Sequence, residues 1–137
     1  MKAADKNFSS ALNQFFRKVA EEKRVEVVKD VALEFYTRLT ENSPVASGCY
    51  RANWGVAIDR PYTDADKSLT KDDWQTREGE ALDTIDTFSE KSQSVNISNN
   101  LPYANRIEYG WSDQAPHGVA RVSRAEVLAY VKEKYGK

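Results

Sequence analysis

One histidine, His117, and one cysteine, Cys49, are the chain's whole supply of imidazole and thiol. A Ser-His-Asp triad would have to use His117, which stands between Pro116 and Gly118 in a polar stretch, and no G-x-S-x-G elbow exists to present a serine. The plainer reading of His117 is an exposed loop residue. Cys49 has only Arg51 as a basic neighbour in sequence, short of the electropositive setting that activates a thiol. One Cys and one His leave no thiolate or imidazole zinc site within one chain and no intrachain disulfide, which fits a reducing compartment. The 21 acidic residues give no spacing that singles out a glycosidase pair. Asp64, Asp66, Asp72 and Asp73 lack the fixed glycine and terminal glutamate of a calcium loop, so a solvated loop is the plainer reading. Gly48, Gly55, Gly79, Gly110, Gly118 and Gly136 are all isolated, so there is no phosphate-cradling loop. The expectation is a protein without catalytic residues, metal or cofactor.

The aromatic residues offer a different kind of chemistry. Tyr103, Tyr109 and Trp111 fall close together beside Pro102 and Pro116. They read either as anchors of a protein interface, where Tyr and Trp are enriched, or as the local core of a short helix. The charges are also unevenly placed. The formal net charge of −1 speaks against a dedicated nucleic-acid binder. Residues 59–90, however, carry ten acidic against four basic groups, and residues 91–137 seven basic against four acidic. The acidic stretch is either a solvated loop and helix face or a surface that meets a basic neighbour head to tail.

At 137 residues the chain is expected to be a single domain, large enough to bury a core unaided. No apolar run approaches the roughly 18 residues of a membrane span, and MKAADKNFSSALNQFF has no apolar segment of the signal-peptide type. Residues 1–43 form a helical part. Phe8, Leu12, Phe15, Phe16 and Val19 make one helical stripe, and Val25, Val28, Ala32, Phe35 and Leu39 a second. The charged run Glu21–Arg24 lies between, so the expectation is two helices or one long projecting helix, ended at Ser43-Pro44. Residues 44–137 form an α+β body. Strands are expected at 51–59 and 94–98 in a small, mainly antiparallel sheet. A long loop spans 60–73, then a helix from Trp74 to Ser89 capped by Asp72 or Asp73. Leu101–Tyr109 reads as a short helix opened near Pro102 and ended at Gly110. A short strand is expected at Val119–Val122, and Ser123 with Glu126 as the capping box of a last helix through Tyr135.

Two segments have a more specific character. Residues 97–122 read ISNNLPYANRIEYGWSDQAPHGVARV. This resembles the hallmark segment of tail-completion, or neck, proteins of long-tailed bacteriophages: an asparagine pair, Leu-Pro-Tyr, Leu/Ile-Glu-x-Gly-x-Ser, then Gln-Ala-Pro-x-Gly. Asn99, Asn100, Leu101, Pro102, Tyr103, Ile107, Glu108, Gly110, Ser112, Gln114, Ala115, Pro116 and Gly118 stand at those positions. Ser43-Pro44-Val45-Ala46-Ser47-Gly48 followed by Arg51-Ala52-Asn53-Trp54 resembles a second family element. Ala46 stands where the family has Asp, and Cys49 where a basic residue is common. The resemblance implies a virion structural protein, not an enzyme, that forms a ring, six-fold because tails are six-fold, around the DNA channel where tail meets head. It implies as partners further copies of the chain, the tail terminator or tail tube, and head-side neck proteins. DNA passes without specific binding, no membrane is involved, and the chain sits in the host cytoplasm during assembly. The alternative within phage structure is a tail terminator or minor tail protein. Tyr103, Glu108, Trp111 and Gln114 are the expected interface residues, and Gly48, Pro102, Gly110 and Pro116 the motif turns, with Glu108 also able to pair with Arg106 or Arg121.

Overall fold

Two helices precede Pro44: α1 (Lys6–Phe16) and α2 (Ala20–Glu41), the second kinked at Lys23, where φ is −122° and ψ 16°. The computed structural model describes residues 6–16, 20–110 and 112–136, so Trp111 lies outside the described residues. α1 folds back on the body, with the Phe8 ring edge-on to Phe35 at 5.1 Å and Leu12 packed against the core. The buried stripe of α2 is Val27, Val31, Ala32, Phe35, Tyr36 and Leu39; Val25 and Val28 sit at its margin, only half-buried. The helix ends as Asn42 and Ser43 tighten onto Arg38 and Thr40, because the residues before Pro44 cannot stay helical.

The chain then makes the short helix α3 (Cys49–Ala52), strand β1 (Trp54–Ile58), a 3-10 turn (Lys71–Asp73), helix α4 (Trp74–Asp86), strand β2 (Val95–Asn99), short helix α5 (Ala104–Glu108) and helix α6 (Ala120–Tyr135). β1 and β2 pair antiparallel, Trp54 opposite Asn99 and Ile58 opposite Val95. This is an α+β architecture: helices packed on a two-stranded sheet. α2 lies against α6 and α4, and α4 covers β1. Trp54, Tyr36, Leu39, Val119, Val127 and Val131 are fully buried, and the one core cluster also takes Phe8 from α1 and Ala81 and Ile85 from α4.

Five local expectations are corrected. Arg51 and Ala52 belong to α3, not to the strand, because Asn53 closes a helical turn onto Cys49 and Tyr50. Asp73 stands at the N-cap of α4 but makes no side-chain cap bond to it; the 3-10 turn before α4 is instead capped by Thr70, whose hydroxyl accepts from the Asp72 N–H at 3.2 Å, while the Asp73 carboxylate accepts from the Thr70 N–H at 2.8 Å. Asp73 thus serves as the returning partner of a capping box. α4 also stops at Asp86; Phe88 is buried beyond it, under the Arg24 guanidinium. Of Val119–Val122, expected as strand, Val119 is the N-cap of α6 and Ala120–Val122 its first turn. Ser123 lies inside that helix, fully buried, and it and Glu126 accept from the Asn42 amide at 3.1 and 2.6 Å. The pair expected to cap α6 therefore fastens it to the end of α2.

Candidate functional site: the joined motif segments

The two segments singled out by sequence, 43–54 and 97–118, are brought together by the sheet. Asn99 is fully buried, and its side-chain amide donates to the Tyr50 carbonyl at 2.8 Å. Its carboxamide oxygen accepts from the Leu101 N–H, shaping the turn into α5. Trp54 donates from its indole to the Ser43 hydroxyl at 2.9 Å, and Ser43 donates to the Leu39 carbonyl. Tyr50 meets Trp54 edge to face at 5.8 Å. Further out, the Val45 N–H donates to the Gln114 side chain at 2.9 Å.

The long loop between β1 and α4 is held to the same unit. Asn53 binds it through both ends of its amide: Nδ2 donates to the Asp66 carbonyl at 2.9 Å and Oδ1 accepts from the Asp66 N–H at 2.8 Å. Ser98 and Asn100 both donate to the Tyr62 carbonyl at 2.8 Å. The Tyr62 ring occupies the space a side chain at Gly55 would need, and its hydroxyl accepts from Arg77. A shallow depression there is lined by Trp54, Val56, Tyr62, Arg77, Glu80 and Thr84. Its charged groups are already engaged, since Arg77 also bonds Glu80 at 2.8 Å and the Ala52 carbonyl at 3.1 Å.

Glu108 has a role that sequence placed only in part. It is 6% exposed, and its carboxylate accepts from the N–H groups of Val119 and Ala120 at 2.8 and 2.7 Å and of Arg121 at 3.0 Å. These are orphan donors at the N-terminus of α6, where the helix dipole also favours a negative charge. The Arg121 side chain closes on the same carboxylate at 3.0 Å and on the Glu108 carbonyl. The expected Arg121 pairing is present, and the carboxylate is spent inside the chain. Gly118 makes this possible: at φ 86° it adopts a left-handed turn, and a Cβ there would overlap Glu108. Gly110, at φ 87°, ends α5, and a Cβ would stand 2.6 Å from the Pro116 carbonyl.

The remaining expected residues fall as follows. Tyr103 is half-buried against the core; burial and a hydrogen bond with the Cys49 thiol push its hydroxyl up to about 12. Gln114 is exposed but tied to Val45. Gly48 precedes α3 with φ 78° beside the Lys71 backbone, and Pro102 and Pro116 stand exposed in turns. His117 is exposed, and Cys49 buried. No group of three or more His, Cys, Asp or Glu side chains able to hold a metal occurs among the described residues. No helix among them is long and apolar enough to cross a membrane. Tyr109, read from the sequence either as an interface anchor or as local core, is 72% exposed with the Arg121 guanidinium 5.6 Å from its ring centre.

No family model matches the chain, and neither a curated protein nor a solved structure does.

Proposed function

We propose that this chain is a structural protein of a tailed phage virion, a tail-completion or neck component that forms a ring and helps join tail to head around the DNA channel. The reading rests on the resemblance of residues 43–54 and 97–118 to that family's two elements. What supports it most is the use to which those residues are put. Ser43, Tyr50, Trp54, Asn99, Glu108, Gly110, Gln114 and Gly118 bond or pack to one another and to the start of α6. The two patterns, about fifty residues apart, meet through the Asn99–Tyr50 and Val45–Gln114 hydrogen bonds, which supports reading them together. Function then belongs to the surfaces this unit presents, through complementary contacts and not through catalysis. Its partners are further copies, the tail-end protein and the head-side neck proteins, and its place is the virion neck.

The test is a joining assay. A phage genome carrying this coding sequence, with the sequence removed, yields filled heads and separate tails, and adding the purified chain to that extract restores joined, infectious particles. Complete particles made without the chain would contradict the reading. Tails of abnormal length in place of unjoined ones would point to the tail-terminator role.

A further inference from the structure

The sheet has two strands and therefore two outer edges. The Asp59 N–H donates to the Ser94 carbonyl at 3.0 Å, one step beyond the Ile58–Val95 pair. In an antiparallel ladder, bonded and non-bonded pairs alternate. Gly55 and Ala57 therefore exchange hydrogen bonds with Ser98 and Asn96, while Val95 and Ile97 turn their N–H and C=O groups to the outer side of β2. Among the described residues no hydrogen bond reaches those groups. β1 lies against α4 with Trp54 and Val56 buried, whereas Val95, Asn96 and Ile97 are only half-buried.

Strand edges are ordinarily guarded by charge, proline or a bulge. β2 has none of these. Its register with β1 runs unbroken from Val95 to Asn99. Residues 92–105 are the longest uncharged run in a chain that is 30% charged, and their one proline, Pro102, falls beyond the strand. The outward-facing backbone belongs to Val95 and Ile97, β-branched residues suited to a pleated ladder. Two strands alone make a marginal sheet, and further strands stabilise it.

We propose that β2 pairs antiparallel with β2 of a second copy, across a two-fold axis at Asn96, so that the sheet grows from two strands to four. Val95 of each copy then faces Ile97 of the other and exchanges backbone hydrogen bonds with it, and the two Asn96 side chains meet as a non-bonded pair. The neighbours set this register. An axis at Ile97 would need the outer side of Asn99, which is fully buried. An axis at Val95 would set Ile97 opposite Gln93, whose N–H is already given to the Asp59 carboxylate at 2.6 Å. A second copy fits as occupant because an uncharged strand meets its own image with no like charges opposed. The contact is isologous and closes on itself. It is distinct from the head-to-tail contact that a ring needs, so it stands or falls apart from the neck reading.

Asn96→Cys tests the register. Non-bonded antiparallel pairs bring Cα atoms to about 4.5 Å, within reach of a disulfide. Oxidised with diamide, the Asn96→Cys chain is expected to give a covalent dimer on a non-reducing gel about tenfold above wild type, whose only thiol, Cys49, is buried. Ser94→Cys, at an exposed position that faces Ser98 of the other copy, is expected to stay near the wild-type level. Equal linking by both variants, or none by Asn96→Cys, would overturn the proposal. Sedimentation equilibrium gives a readout without added cysteine. Wild type is expected to be dimeric at high micromolar concentration. Asn96→Lys, which sets two ammonium groups face to face, is expected to be monomeric with an unchanged circular dichroism spectrum. A wild-type chain that is monomeric throughout overturns the pairing, and so does a folded Asn96→Lys chain that still dimerises. A larger closed oligomer in which Asn96→Cys links no pairs removes this contact and leaves the ring to the joining assay.

Discussion

Glu108 shows how one side chain can carry a motif. It replaces a local cap with a remote one, reaching eleven to thirteen residues along the chain to the first N–H groups of α6. Glu108→Ala leaves those buried donors and Arg121 without their acceptor and is expected to destabilise the isolated chain by about 3 kcal/mol. A lower urea midpoint at unchanged slope would show this. Unchanged melting would mean that Glu108 serves some other contact. Gly118→Ala tests the same junction from the other side. It forces a side chain into a left-handed backbone against Glu108, and a loss of about 1–3 kcal/mol is expected by thermal or urea unfolding. Sequence marked both residues as motif positions. It could not show that they touch, because the stretch of sequence between them has no periodicity that fixes its path.

At the scale of elements, the helices before Pro44 and the two strands were legible because apolar periodicity and a proline stop are local signals. The start of α6 was not, because the group that caps it comes from α5. The long loop was correctly read as irregular, but its anchors, Tyr62 and Asp66, bind partners remote in sequence. The packing of α6 on α2 depends on Asp30, which accepts from Tyr130 at 2.8 Å, from Lys134 at 2.8 Å and from Tyr135. Burial alone would raise the Asp30 pKa, but the bonds from Lys134, Tyr135 and Tyr130 outweigh it and hold the carboxyl below its ordinary value. A depressed folded-state pKa contributes stability that is fully present above the unfolded value, about 3.9, and is lost as pH falls through the folded one. Wild-type unfolding free energy should therefore decline on acidification below about pH 4. Asp30→Asn should lower stability at pH 7 by about 1–2 kcal/mol and flatten that acid limb. Parallel pH curves for the two proteins, from denaturant titrations between pH 2.5 and 7, would contradict the assignment.

For the whole molecule, charge is uneven along the chain: residues 59–90 carry ten acidic against four basic groups, and residues 91–137 seven basic against four acidic. If assembly joins acidic to basic surfaces, it weakens as salt rises from about 0.05 to 0.5 M, where screening shortens from roughly 14 to 4 Å. A sedimentation series in sodium chloride checks this, and association that strengthens with salt would point to an apolar contact instead. The central claim is where the chain acts. Gold-labelled antibody against the purified chain, applied to intact tailed particles from a lysate and imaged by electron microscopy, tests it most directly. The account predicts label at the junction of head and tail, and label along the tail, at its distal tip or nowhere on the particle would contradict it.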